Sequence, residues 1–370
     1  MKILSLCLSP GLGGLELYAL RSAVQLSKNN DVHFISSPAA VLNDHLQKNG
    51  IRTVHLKPLF RHLPIISAWK LAHIIDTFDI DVIHMHWGKD LPLVSLAIKL
   101  SNKRPAMVYT RQMQITRMKT DFYHRFLYKE MSLMLAITNQ LRDRCARMLG
   151  DNVGNRVETL YYGVPEPEKT LTPEEITSRR ADLGLTGQDF IVGLFGRLED
   201  QKGQHLLIKA IAQAKQKGHN LKAIIVGHEM NAGYVDELKK LASELDVLQN
   251  IHFMDFVEKP QEIMQICDCV LLATYMETFG LVLPEAMRCG IAVIGSNAGG
   301  VPEIIEHDKT GLLFDPKNID DLEKQISSLS NDREKLKRLA KAGKEKADTV
   351  FNNEQHYLRL QTLLEQQIKD

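Results

Sequence analysis

The sequence predicts an α/β chain of two doubly wound parallel sheets. Three observations predict it. Short apolar runs recur along the chain, and stretches with helical apolar spacing fall between them. The series breaks once, in a polar, proline-containing stretch from Pro165 to about Asp189, and then resumes. Glycine-containing turns stand where several of the apolar runs end. The chain has 370 residues, 44% hydrophobic and 25% charged, which is enough apolar surface for two cores.

The elements follow in order. Strands are expected at 3–8, 32–36, 53–56, 81–87, 106–111, 133–138 and 157–161, with helices at 14–26 and 65–78 among them. These make a first domain, 1–165. The stretch 166–189 reads as a linker with a short helical piece at 172–183. A second domain, 190–350, takes strands at 190–195, 221–226, 251–254, 269–273, 292–295 and 311–314, then one charged helix at 321–346. The last stretch, 351–370, carries a separate amphipathic helix over 354–367, with Leu358, Leu360, Leu363 and Leu364.

Bulk properties narrow the function. A net charge of +1 gives no global argument for nucleic acid. Five cysteines are too few and too scattered for a disulfide framework, and Cys267 and Cys269, entering a strand, read as core thiols. Met1-Lys2-Ile3 leads straight into a strand with no signal-peptide pattern, and no apolar run reaches the roughly 18 residues of a spanning helix. The expected location is the cytoplasm.

Chemistry in such sheets collects where strands end. Glu277 to Glu285 reads Glu-Thr-Phe-Gly-Leu-Val-Leu-Pro-Glu, a strand-to-helix turn bracketed by two carboxylates. Backbone amides near Gly280, Leu281 and Val282 would suit a phosphate, and carboxylates would hold sugar hydroxyls. A nucleotide sugar has that layout. Phe195-Gly196-Arg197 ends another strand and Lys202-Gly203 opens the next helix, two cations for a diphosphate. Gly227-His228-Glu229 is a candidate nucleobase loop. Ser296 to Glu303 is a small-residue turn whose glycine pair either admits ligand or makes the turn. Gly11, Gly13 and Gly14 follow the first strand, but their spacing is not that of a dinucleotide fold, and the second strand ends in Ser36-Ser37 without an acid. Nicotinamide binding is therefore disfavoured. His84 and His86 point the same way at the end of a buried strand, with His86 nearer the carboxyl edge.

Taken together these residues resemble the retaining GT-B glycosyltransferases of family 4, over nearly the whole chain. The Glu277–Glu285 pair, Phe195-Gly196-Arg197 with Lys202, Gly299-Gly300-Val301-Pro302-Glu303, Gly13-Gly14-Leu15-Glu16 and the His86 strand end all match. The resemblance implies a GT-B fold, two Rossmann-like domains facing across a deep cleft. It implies catalytic roles for Arg197, Lys202, Glu277 and His86: the two cations neutralise the diphosphate, Glu277 holds the transferred sugar and His86 approaches it. It implies donor binding by Gly13, Gly14, Gly196, Gly227, Phe279, Gly280, Leu281 and Glu285, the last on the ribose. No metal and no cofactor beyond the donor is implied, and the final helix is expected to cross back onto the first domain. Two positions depart from the pattern. Thr110-Arg111-Gln112 stands where the family often has Thr-x-His, and Tyr162 where it has Asn before Gly163.

From Lys103 to Lys129 cations outnumber acids and aromatics are interleaved. This reads either as a solvated helix face or as a patch for an anionic acceptor at a membrane surface. Glu16, Arg111, Arg117 and Lys119 are the candidate acceptor residues. A glycan or glycolipid acceptor is expected, in lipopolysaccharide or other cell-surface polysaccharide synthesis, with peripheral contact to an anionic membrane. Two other readings stay open: a nucleotide-sugar epimerase of similar fold, and a non-catalytic nucleotide-sugar-binding scaffold.

Overall fold

The computed structural model describes residues 1–58, 60 and 62–368. It divides into two compact units, Met1–Tyr161 with Glu354–Asp370, and Tyr162–Asn353. In the first unit β1 (Lys2–Cys7), β2 (Asp31–Ser36), β3 (Arg52–His55), β4 (Val82–Met85), β5 (Ala106–Arg111), β6 (Met131–Ala136) and β7 (Val157–Thr159) form one sheet in the order β3-β2-β1-β4-β5-β6-β7. In the second, β8 (Phe190–Phe195), β9 (Leu221–Val226), β10 (Ile251–Met254), β11 (Cys269–Leu272), β12 (Ala292–Ser296) and β13 (Leu312–Phe314) form the order β10-β9-β8-β11-β12-β13. Every strand pair is parallel.

Parallel sheets are covered by helices on both faces, so their strands are apolar throughout. Phe190-Ile-Val-Gly-Leu-Phe195 is buried at every position. Each sheet reverses direction once, between β1 and β4 and between β8 and β11. Neighbouring connections leave these two strand pairs in opposite directions, which opens a crevice beyond the carboxyl ends. The reversal points therefore fix where each unit can hold a ligand.

The two cores are separate. That of the first unit gathers Ile3, Phe34, Val82 and Leu135 with Tyr357, Leu360, Leu363 and Leu364 of the Asn353–Glu365 helix. Leu360, Leu363 and Leu364 of the last helix thus belong to the first sheet's core, whereas Leu358, expected with them, is exposed; residues 369 and 370 lie outside the described part. That of the second unit includes Val192, Ile208, Ile225, Leu271 and Ile326. Cys267 and Cys269 are buried, and burial pushes both thiols up.

Two expectations need correction. The stretch 166–189 is not a free linker but part of the second unit. The Gln265 amide accepts from Leu171 N at 2.8 Å and donates to Lys169 O at 2.9 Å. Arg179 pairs with Glu262 at 2.6 Å, and Arg180 donates to Ile266 O at 2.9 Å and to Asp268 at 3.3 Å. The charged helix expected over 321–346 is two helices, Ile319–Asn331 and Arg333–Val350. Asp332 breaks them: its backbone is extended, and its carboxylate accepts from Lys335 N at 2.8 Å as the cap of the second helix.

Leu363→Ala should cost the first unit about 2–5 kcal/mol, since Leu363 is fully packed in its core. Leu358→Ala, on the exposed side of the same helix, should cost less than about 0.5 kcal/mol. Urea titration followed by tryptophan fluorescence checks both, because Trp69 and Trp87 lie in the first unit alone.

Candidate active site

In the second unit the ends of β8 and β11 bring the predicted charges together. The Asp200–Lys202 turn opens the Gln204–Gln216 helix, and it is pinned to the loop after β11. Tyr275 N donates to Gln201 O at 3.3 Å, and the Thr274 hydroxyl lies 3.1 Å from the same oxygen. This places Lys202 Nζ 2.8 Å from Glu277 Oε2, both side chains mostly shielded. The other Glu277 oxygen accepts from Thr278 N at 3.0 Å. Arg197 leaves the end of β8, is largely exposed, and pairs with Glu199 at 3.0 Å.

Backbone crowding sets these positions. Gly227 has φ +154, and a side chain there would meet Gly196 O at 1.8 Å. Gly299 has φ +59, and a side chain there would meet Glu277 O at 1.9 Å. Gly300 N donates to that same Glu277 oxygen at 3.0 Å. Of the two roles open to the Gly299-Gly300 turn, the structure supports making the turn: it buttresses the Glu277 backbone.

Beside the charges lies a pocket of about 280 Å³ lined by Gly196, Arg197, Gly227, His228, Phe256 and Glu285, among others. Its walls are mainly apolar side chains, Phe195, Val257, Pro260 and Met264 included. Glu285 reaches it from the Val282–Arg288 helix, whose entry turn is Gly280-Leu281. A flat heterocycle fits such walls, and a hydroxyl-bearing ring fits the carboxylate.

Phe279, expected among the donor residues, sends its side chain into the core instead. It stands edge-on to Tyr162 at 5.1 Å and to Phe351 at 5.8 Å and is 2% exposed. Only its backbone belongs to the turn. Phe256, Val257, Pro260 and Met264 were missed by the reading of the sequence. The signal was available, because Met254 ends β10 and the same strand-end rule applies there.

In the first unit the reversal point joins β1 and β4. Leu8 N donates to Asp90 at 2.9 Å, across the two strand ends. Gly13 N donates to the Glu16 carboxylate at 2.8 Å, so Glu16 folds back over the start of its own helix and is buried. Gly14 has no neighbour within 4 Å of where a side chain would begin, so the turn leaves open room.

His86 is wholly buried, which corrects the expectation of a residue open to a sugar. Its Nε2 lies 3.2 Å from the Ser5 hydroxyl, and its ring is 4.2 Å from that of His84. His84 Nε2 in turn lies 2.7 Å from the Thr110 hydroxyl. Burial first, and then His356, lowers His84 to about 3. Burial and then His84 hold His86 well below the usual imidazole range. Burial lowers His356, which sits 3.1 Å from the Tyr18 hydroxyl, to about 4.

The acceptor candidates divide. Arg111 is buried at the end of β5, donating to Gln114 O at 3.1 Å and to Tyr109 Oη at 3.4 Å, and its Nε has no partner among the described residues. Arg117 is exposed. Lys119 is lowered by burial and then by Arg111 and Arg117, so the three cations share one field. Glu16 is not part of it.

The architecture is that of a two-sheet enzyme with its ligand cleft at the strand ends. Residues 175–346 match the model of glycosyl transferases group 1, and residues 5–140 match that of glycosyl transferase 4-like proteins. The chain belongs to the group 1 glycosyltransferases, and its two parallel sheets are those of the GT-B fold. N-acetyl-alpha-D-glucosaminyl L-malate synthase of Bacillus anthracis is 22% identical over 98% of this chain and 96% of its own. HepE of Anabaena, solved in complex with UDP-glucose, is 25% identical with a TM-score of 0.84, over 99% of this chain and all of its own. The lipopolysaccharide outer core galactosyltransferase WaaB shares the fold at 16% identity and a TM-score of 0.73, over 99% of each chain.

Two outcomes follow for stability. Gly299→Ala should lower it by about 2–4 kcal/mol through strain and the clash with Glu277, whereas Gly14→Ala should be neutral within about 0.5 kcal/mol in thermal melts. The buried histidines bind protons only when the first unit unfolds. Their folded values lie below the unfolded one, so this stability is present above about pH 6.5 and is lost as pH falls toward 3 to 4. At pH 5 the loss should be about 2 kcal/mol each for His84 and His356, read by urea titration at tryptophan emission.

Proposed function

We propose that this glycosyltransferase takes a nucleoside diphosphate sugar, needs no metal, and transfers the sugar with retention to a glycan or lipid-linked glycan. The observation that carries the reading is the Lys202–Glu277 pair at 2.8 Å beside a pocket lined by Arg197 and Glu285. It offers, side by side, cations for a diphosphate and carboxylates for two sugar rings. Glu285 holds the ribose and Glu277 the hydroxyls of the transferred sugar. Arg197, Lys202 and the amides at Gly280 and Leu281 take the diphosphate, while Gly196 and Gly227 keep the strand ends low enough for it to approach. Gly13 and Gly14 leave room in the first unit, and His86 stiffens the floor beneath them as a neutral ring.

Transfer breaks the bond from the anomeric carbon to the diphosphate oxygen and forms a bond to an acceptor hydroxyl. The acceptor proton passes to the departing diphosphate, whose negative charge grows as it leaves. Fixed cations bind that growing charge more tightly than they bind the intact donor. The same-face route follows from the absence of a strong nucleophile among the proposed residues. HepE in complex with UDP-glucose supports uridine donors as the first to test. Arg111, Arg117 and Lys119 support an acceptor with a negative group, as cell-surface glycans such as lipopolysaccharide carry. The place of action proposed is the cytoplasmic face of a membrane.

A thermal-shift screen of UDP-, GDP-, ADP- and CMP-sugars with chelator present should give one clear rise in melting temperature. No rise with any of them, in folded protein, would sink the donor reading. With that donor, Lys202→Ala or Arg197→Ala should lower turnover roughly a hundredfold or more. Unchanged turnover would remove the cations from the mechanism.

A further inference from the structure

The first unit carries a surface that the transfer chemistry does not use. The Ile65–Phe78 helix buries Ala68, Leu71, Ala72 and Ile75 along one stripe, as its spacing requires. Its first turn does not follow. Ile65, Ile66 and Trp69 are 58%, 62% and 64% exposed, and Phe60 and Leu63 just before them are exposed as well. Phe60 and residues 62–67 line an apolar hollow of about 650 Å³. The Tyr123 hydroxyl donates to His62 O at 2.8 Å, which ties this segment to the Phe122–Tyr128 helix. That helix buries only Leu127 and Tyr128 and leaves Phe122 84% exposed. Scattered exposed apolar residues are ordinary on any protein, but a contiguous group of this kind marks a surface that something covers.

The charge around the group says what covers it. Lys57, Lys70, Arg117 and Arg125 are exposed and form no ion pair among the described residues. Ser67 donates to Lys57 O at 3.4 Å, which holds Lys57 at the start of the helix, and Lys70 adjoins Trp69. The acids of the second segment are engaged, Asp121 with His124 and Glu130 with Lys99. On a chain of net charge +1, these cations are a local concentration. Exposed aromatic and aliphatic side chains with unpaired lysine and arginine on the same segments suit an anionic bilayer, where the rings enter the headgroup boundary and the cations meet lipid phosphates. A second copy docking through the same patch would set like charges against each other.

We infer that residues 60 and 62–69 and the Phe122–Tyr128 helix form a docking face for an anionic lipid bilayer. The face lies in the connections that follow β3 and β5, and Met113 and Met118 are exposed in the loop that carries Arg111, Arg117 and Lys119. A lipid-linked acceptor would be delivered to the unit that carries the acceptor cations. That purpose rests on the proposed acceptor, while the docking face itself does not. The basic run read from the sequence is only partly this face: Tyr109, Arg111 and Tyr128 are buried, and Lys103 pairs with Asp79 and Asp81.

The test is flotation of the full chain with phosphatidylcholine vesicles, with and without phosphatidylglycerol, free of donor and glycolipid. Binding at low salt is expected with the anionic vesicles and should weaken as salt rises. In a Trp87→Phe variant, Trp69 is the one remaining tryptophan, and its emission should move to the blue as vesicles are added. Trp69→Ser with Phe122→Ser should reduce binding at least about tenfold with the melting temperature unchanged. Lys70→Glu with Arg125→Glu should do the same through charge, while Leu358→Ser leaves binding intact. Absence of flotation at low salt, or flotation undiminished by the Trp69 and Phe122 changes, overturns the inference. So does a wild-type dimer in analytical ultracentrifugation that the same two changes convert to monomer. The donor thermal shift is unaffected in every one of these cases, so loss of the docking face and loss of the transferase reading are told apart.

Discussion

A parallel strand buried on both faces leaves little room for charged side chains except at its ends, and the candidate site of the second unit follows that constraint. The whole of β8 is buried, and the first residues free to carry charge are those just past it, Gly196 and Arg197. The same holds for β11, where Thr274 to Glu277 lie beyond the last buried strand residue. Because the sheet reverses direction between β8 and β11, these two ends are neighbours and no crossover helix covers them. Glycines then bring the backbones nearer than any side chain would permit, Gly227 against Gly196 and Gly299 against Glu277. The position of Glu277 is thus a property of the backbone, fixed before any ligand is considered.

The charges of the two units are arranged differently. In the second, Lys202 and Arg197 each already have a carboxylate partner, Glu277 and Glu199. A paired, partly shielded lysine is held in place, so on the proposed reading an arriving diphosphate would meet an ordered cation with little rearrangement. In the first, Arg111 is buried against Tyr109 and a carbonyl, and Lys119 loses part of its proton affinity to burial and to its cationic neighbours. A buried cation without a carboxylate is unfavourable unless an anion completes it. On the proposed reading the second unit is built to bind charge that develops, and the first to bind charge that the acceptor brings.

Much of this was legible in the sequence, for physical reasons that particular residues illustrate. Apolar runs gave the ends of β5, β8 and β9, because strands buried on both faces leave no other pattern. The helix at Ile65–Phe78 was legible from its spacing. The break at Asp332 was not, since helical spacing continues on both sides and only the Asn331-Asp332 cap interrupts it. The tethering of 166–189 was not, because its partners Glu262, Gln265 and Asp268 are far away in the chain. Motif position told that Phe279 belonged to the turn but not that its ring faces Tyr162 and Phe351. The period of a strand placed His84 and His86 on one side, and burial depth, a tertiary property, decided that neither reaches solvent.

The exposed first turn of the Ile65–Phe78 helix shows where such reading stops. Ile65, Ile66 and Trp69 carry the same apolar character as the buried Leu71 and Ile75, and spacing alone makes them all candidates for one core. Whether an apolar residue is covered depends on what packs over it, and here Ile65, Ile66 and Trp69 stay exposed while Lys57 is held at the helix start by Ser67. Apolar surface left in water is a cost with no structural return. Its occurrence together with unpaired Lys57, Lys70 and Arg125 satisfies both terms at once in one environment, an interface that is apolar within and anionic at its margin. The connections after β3 and β5 are also those free to vary without disturbing the sheet, since loops at strand ends carry no ladder. Surface chemistry can therefore be added on these connections while the backbone contacts that hold Glu277 stay as they are.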